Sequence, residues 1–233
     1  MRDLPVGGWL KNSFIDFPGT VSTVLFFSGC NLRCGFCHNP TLVTGEYTEP
    51  LSVEEFDTFL AGRQGLIEGV VLSGGEPALH PEAAKLCVTL AREKGYKIKL
   101  DTNGMKPEII GKLAPDYLAL DVKTLPEKYR GMLKAPCEDA GKRLLQSIEI
   151  AKTMKDAAEI RITVVPGLID RKSIEKIGRL CHGVHRIFLQ PMQQNVELLD
   201  PAYTSITPFS HNEIVEFKDI LQEYTETCSI RKG

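Results

Sequence analysis

The sequence has no run of about 18 apolar residues, so no part of it reads as a membrane-spanning helix. It has no large excess of either charge. Its 28 Lys and Arg face 30 Asp and Glu, a net charge of -2, which argues against nucleic-acid binding through bulk charge. The stretch Met1 to Trp9 has no long apolar core or cleavage pattern, so no secretory signal is expected and a cytoplasmic location is. Low-complexity tracts, residue-level repeats and obvious linkers are missing, and 233 residues with 42% hydrophobic content suffice for one continuous core. The seven cysteines are odd in number and unevenly spread, which argues against a closed disulfide framework and for a reducing compartment. Cys30, Cys34 and Cys37 fall within eight residues, whereas Cys87, Cys137, Cys181 and Cys228 are scattered.

From residue 21 onward, strand and helix patterns alternate. Val21–Ser28, Val70–Ser73, Lys97–Leu100, Tyr117–Val122, Glu159–Val165 and Val184–Leu189 read as β-branched or apolar strands. Between them lie amphipathic helices. Ser52 and Glu55 form a capping box, as do Ser210 and Glu213, Pro81 opens a helix that Gly95 closes, and Asp170 caps another. Cys87 and Cys181 sit on apolar helix faces and read as small core residues. Six β–α units predict an α/β fold with one parallel sheet. Polar residues cluster at the strand C-terminal ends, which favours a curved sheet in an incomplete (β/α)6 TIM-like barrel over an open one. The expected organisation is one domain over residues 1–233, with an N-terminal segment, 1–20, leading into a core spanning 21–225.

Chemistry concentrates just past the first strand. In SGCNLRCGFCHNP, the spacing Cys-x3-Cys-x2-Cys can wrap one face of a soft metal or an iron–sulfur cluster. Three ligands suit a four-iron cluster with one iron open to a small molecule. A zinc site is the alternative, with His38 as fourth ligand, although its adjacency to Cys37 makes that geometry awkward. Further along, Gly74 and Gly75 allow close backbone approach to a ligand, and Glu76 can meet an ammonium group. Asp101 and Asn103 follow the third strand and are either site residues or turn formers. Asp121 and Lys123 flank Val122 and share one side of an extended chain, as a salt bridge or a charged cleft wall.

The cysteine loop resembles the cluster motif of the radical S-adenosylmethionine (radical SAM) superfamily, and Phe36 matches the aromatic residue common before the last cysteine. The resemblance implies a radical SAM oxidoreductase. Cys30, Cys34 and Cys37 would hold a [4Fe-4S] cluster, SAM would chelate its open iron, and one-electron reduction would cleave SAM to a radical that abstracts hydrogen. The Ser73–Pro77 segment resembles the superfamily's glycine-rich motif at the SAM amino group. DTNG at residues 101–104 and the DxK pattern of Asp121 and Lys123 resemble activating enzymes of glycyl radical proteins, as do Asn39 after the last cysteine and VVPG at residues 164–167. On that resemblance Phe36, Asn39, Gly74, Gly75, Glu76, Asp101, Asn103, Asp121, Lys123, Arg161, Val164, Pro166 and Gln190 are expected around SAM.

The stretch from Trp9 to Gly19 resembles the opening of compact activating proteins of anaerobic ribonucleoside-triphosphate reductase. This implies an anaerobic ribonucleotide reductase as partner, a flavodoxin or ferredoxin as electron donor, and no nucleic-acid or membrane partner. Asp16 is then expected to face the incoming protein loop. The segment LQPMQQN at 189–195 lacks the histidine that many pyruvate formate-lyase activating enzymes carry nearby. Activation of another glycyl radical enzyme such as pyruvate formate-lyase, a radical SAM enzyme acting on a small molecule, and more distantly a zinc-bearing structural or binding protein are the alternatives.

Overall fold

The computed structural model describes residues 3–45 and 51–231. Chain contacts gather into two compact units, one built mainly from residues 1–31, 41–102 and 108–117, the other from 32–40, 103–107 and 118–233.

In the first unit the β-branched run after residue 20 forms β3 (Ser22–Phe27), which follows β1 (Asp3–Leu4) and β2 (Val6–Ser13). Next come α1 (Pro40–Thr44), β4 (Leu51–Ser52), α2 (Val53–Gly62), β5 (Gly69–Gly74), α3 (Pro81–Glu93), β6 (Lys97–Thr102) and α4 (Pro107–Leu113). β5 pairs in parallel with β3 on one side and β6 on the other. β2 runs antiparallel to β3, and β1 pairs antiparallel with β4. Helix starts follow local chemistry. The Ser52 side chain accepts the Glu55 N–H at 3.1 Å, and α3 begins at Pro81, whose missing N–H costs nothing in a first turn. Ala84, Cys87, Val88 and Ala91 recur at helical spacing and are the buried face of α3.

The second unit contains β7 (Tyr117–Asp121), α5 (Ala140–Met154), β8 (Ala158–Val164), α6 (Arg171–Leu180), β9 (Arg186–Pro191), α7 (His211–Gln222) and β10 (Thr227–Ile230). β7, β8, β9 and β10 are successive parallel neighbours. Asp170 and Ser210 each cap their helix in a reciprocal capping box. Among the described residues no helix is long and apolar enough to cross a membrane.

Six strands and their helices lie where periodicity puts them, but the expectation of a purely parallel sheet is corrected. β2 adds an antiparallel edge, and β10 extends the parallel series beyond the sixth strand. β2 escapes a periodicity reading because VGGWLKNS has two glycines and no regular apolar alternation.

The hairpin between β2 and β3 also corrects the expectation for Asp16. This residue lies before the start of β3, whereas Cys30 follows its end, so the two stand at opposite ends of the strand. Asp16 closes the turn instead. Its Oδ2 accepts the Ser13 hydroxyl at 2.5 Å, and Ser13 Oγ accepts the Asp16 N–H at 3.1 Å. Phe17 then packs under β3 and β5 with Val24, Val71 and Tyr117. Replacing Asp16 by Ala is expected to lower stability by about 1 kcal/mol, the usual worth of such a side-chain bond, in urea unfolding. It should leave iron loading of the cysteine loop unchanged.

Candidate functional site

In the first unit the site residues stand at the C-terminal ends of β3, β5 and β6. Cys30 follows Gly29, whose N–H donates to the Leu42 carbonyl at 2.6 Å. The Ser28 carbonyl lies 2.7 Å from His80 Nε2, and the His80 ring stacks near Phe27. Gly74 and Gly75 approach this same strand end. The Gly75 N–H donates to the Phe27 carbonyl at 2.8 Å and the Glu76 N–H to the Gly29 carbonyl at 2.9 Å. A Cβ on Gly75 would sit 2.1 Å from the Gly29 oxygen, so the glycines are required by this backbone crossing. Glu76 is 1% exposed, and its Oε1 accepts the Thr102 hydroxyl at 2.8 Å and the Ala78 N–H at 3.0 Å, capping a short 3-10 turn at Pro77–Leu79. Asp101 accepts the Ser73 hydroxyl at 3.1 Å and forms an ion pair with Lys99, a buried lysine that the sequence reading passed over.

In the second unit Cys34 and Cys37 stand at the two ends of one turn, with the Cys37 N–H on the Cys34 carbonyl at 2.9 Å. Phe36 between them is buried. Asp121 ends β7 opposite Arg161 of β8. It accepts Arg161 Nε at 2.7 Å and Lys123 Nζ at 3.1 Å. Burial alone would raise the Asp121 carboxyl, but Arg161 and then Lys123 outweigh it and hold the group well below the usual carboxylate range. Burial works against the Lys123 ammonium, yet Asp121 and then the Cys34 sulfur keep it above its ordinary value. Tyr129, fully buried and also missed from sequence, accepts the Lys123 N–H at 2.7 Å.

Other expected residues fall differently. Asn103 is buried and its side chain accepts the Met105 N–H at 3.0 Å, the turn-forming role. Val164 ends β8 and is buried. Strand alternation puts Ile160, Ile162 and Val164 in the buried layer and Arg161 and Thr163 on the other face, so its side chain is core. Pro166 stands half-buried at the turn after β8, where Gly167 takes φ +86°. Gln190 is half-buried on β9, paired in register with Thr163, and Asn39 is half-buried after the cysteine turn. Cys87 and Cys181 are core, as expected, and burial pushes both thiols up to about 12.

None of the seven cysteines is paired in a disulfide. Among the described residues no three His, Cys, Asp or Glu side chains are gathered as a metal-binding group. The donor set nevertheless fits an iron–sulfur cluster. Three cysteines within eight residues of the sequence, with a protonated lysine beside Cys34, match the soft, anionic ligation that such clusters take.

The radical SAM superfamily pattern matches residues 24–180, and the chain belongs to that superfamily. It has the superfamily's α/β fold, on a mixed sheet. A radical SAM methyltransferase from Sphaerobacter thermophilus matches 98% of this chain and 77% of that one, with a TM-score of 0.65 at 16% identity. Within the superfamily the chain is a member of the glycyl-radical-enzyme activating branch. A protein of Methanocaldococcus jannaschii, provisionally named a glycyl-radical enzyme activating enzyme, is 32% identical over 97% of this chain and 95% of its own length. The pyruvate formate-lyase-activating enzyme of Clostridium pasteurianum is 29% identical over 82% of this chain and 78% of its own.

The depressed Asp121 carboxyl makes stability depend on pH. Its contribution is present above the unfolded value of about 4 and is lost as pH falls toward the lower folded value. Wild-type urea midpoints should therefore drop as pH falls from about 5 to 3. Asp121→Asn should be less stable at neutral pH, by on the order of 3 kcal/mol for a broken buried ion pair, and should show a shallower acid slope.

Proposed function

We propose that this chain activates a glycyl radical enzyme of anaerobic metabolism, using a [4Fe-4S] cluster on Cys30, Cys34 and Cys37 and SAM as co-substrate. The observation that supports this most directly is the cysteine loop in a chain whose similarity to a glycyl-radical enzyme activating relative runs nearly end to end in both. When bound, the cluster and SAM supply the one-electron chemistry that removes a hydrogen atom from the partner's glycine. The protein supplies ligands, orientation and exclusion of water. Glu76 and Asp101 offer carboxylates at the strand ends of the first unit, fixed by Thr102 and by Ser73 with Lys99. Lys123 offers a cation beside Cys34, and Arg161 holds the Asp121 carboxylate that keeps this cation charged. A low-potential flavodoxin or ferredoxin is the proposed electron donor.

Two partners are proposed. An anaerobic ribonucleoside-triphosphate reductase follows from the resemblance of the segments at 9–19 and 101–104. A partner of the pyruvate formate-lyase type is favoured by the similarity to the clostridial activating enzyme.

Anaerobic reconstitution is expected to give about four irons per chain. Cys34→Ala should lose reductive SAM cleavage, whereas Cys87→Ala should keep it. Reduced protein, SAM and each candidate partner, mixed without oxygen, should give an electron paramagnetic resonance doublet that collapses when the partner's glycine is deuterated at Cα. Zinc at full occupancy would sink the reading. So would SAM cleavage with no glycyl radical in either partner, beside efficient turnover of a small molecule.

A further inference from the structure

The turn holding Cys34 and Cys37 is four residues long and is closed by the Cys37 N–H on the Cys34 carbonyl, and other segments grip it from outside. In the second unit it is gripped on two sides. On one, Leu32 bridges Leu133 in antiparallel fashion and the Arg33 N–H donates to the Met132 carbonyl at 2.7 Å. On the other, the segment after β9 returns to the turn. The Leu199 N–H donates to the Cys37 carbonyl at 2.9 Å, and the Asp200 N–H to the Gly35 carbonyl at 3.0 Å.

A side chain locks this second grip. A Cβ built on Gly35 would fall 2.3 Å from Tyr203 Cε2 and 2.6 Å from Cδ2, so the Tyr203 ring lies flush on the backbone between the two cysteines. The same ring meets Phe36, with centroids 6.2 Å apart. Tyr203 is itself placed by a 3-10 turn, Pro201–Ser205, capped by Asp200 Oδ1 on the Ala202 N–H at 2.9 Å. Leu198 anchors the near end in the core.

We propose that residues 198–206 form a strap that sets the positions of Cys34 and Cys37, with Tyr203 as its positioning residue and Gly35 as the matching gap. The strap follows β9, which ends at Pro191, so the thiols are held by a segment far away in sequence. Backbone amides that bind the carbonyls of residues 35 and 37 fix the turn before any cluster is present, which preorganises the thiols. The ring matters for its shape and not for its hydroxyl, so phenylalanine should serve as well.

The proposal rests on Cys34 and Cys37 being cluster ligands, but its first test needs no cluster. Full-length, metal-free protein would be treated with iodoacetamide, and each cysteine followed by peptide mass spectrometry, with Cys87 and Cys181 as buried controls. Tyr203→Ala should speed alkylation of Cys34 and Cys37 about fivefold or more through local opening, with the controls unchanged. Tyr203→Phe should behave as wild type. Gly35→Ala should speed the same two thiols, and adding it to Tyr203→Ala should add much less than it does alone, because the ring it collides with is gone and only the 3.1 Å approach to Asp200 Cβ remains. In reconstituted protein, Tyr203→Ala should shift the cluster's midpoint potential and reduced-state resonance spectrum, and Tyr203→Phe should not. If Tyr203→Ala also exposes the two controls, Gly35→Ala and Tyr203→Phe decide the matter. Unchanged Cys34 and Cys37 rates in Gly35→Ala, or additive effects of the two substitutions, would overturn the strap. Altered thiol rates with no glycyl radical in any partner would keep the strap and sink the activase reading.

Discussion

Where the backbone of Gly74 and Gly75 crosses the end of β3, no side chain fits between the two chains. A Cβ on Gly74 would lie 2.4 Å from the Phe27 nitrogen, and φ there is +112°, a region that L side chains avoid. The crossing carries parallel strand pairing beyond the last strand residues and ties Glu76 to the carbonyl just before Cys30. The chemistry at that end of the first unit is laid out from this contact. Ser73, one residue before the crossing, reaches Asp101. Glu76, one residue after it, reaches Thr102. A bulkier residue at either glycine would push β3 and β5 apart and scatter all four.

Each unit uses the same device to aim a strand-end carboxylate. Asp101 is held by Lys99, two residues before it, and Asp121 by Lys123, two residues after it, so strand periodicity places each cation on the side of its acid. Asp121 gains a second cation from Arg161 on the neighbouring strand. Ion pairs this well buried add little net stability, because desolvation offsets attraction, but they allow each carboxylate few orientations. That suits groups meant to meet a charged ligand.

The order of strands and helices was legible because each element carries its own signal. The helix caps at Ser52, Asp170 and Ser210 and the apolar stripe of α3 are local and survive any tertiary context. The cysteine spacing, SGGEP, DTNG and DVK were legible for the same reason. What escaped was whatever depends on contacts distant in sequence. The Tyr129 hydroxyl at Lys123 and the Tyr203 ring over Gly35 have no periodic signature, and β10 is too short to announce itself. A pattern of residue types also leaves open which face of a strand a side chain takes, and only the strand itself shows Arg161 and Thr163 alternating with the buried Ile162 and Val164.

The bonds from Leu199 and Asp200 to the cysteine turn close a loop of about 160 residues. Contacts of that sequence separation form late, after the intervening elements have folded. A nascent chain emerging from the ribosome therefore has its three cysteines exposed long before the segment that shapes their turn has been synthesised. On the proposed strap, cluster assembly would follow synthesis of the whole chain, and iron that attached earlier would meet a pliable peptide rather than a formed site.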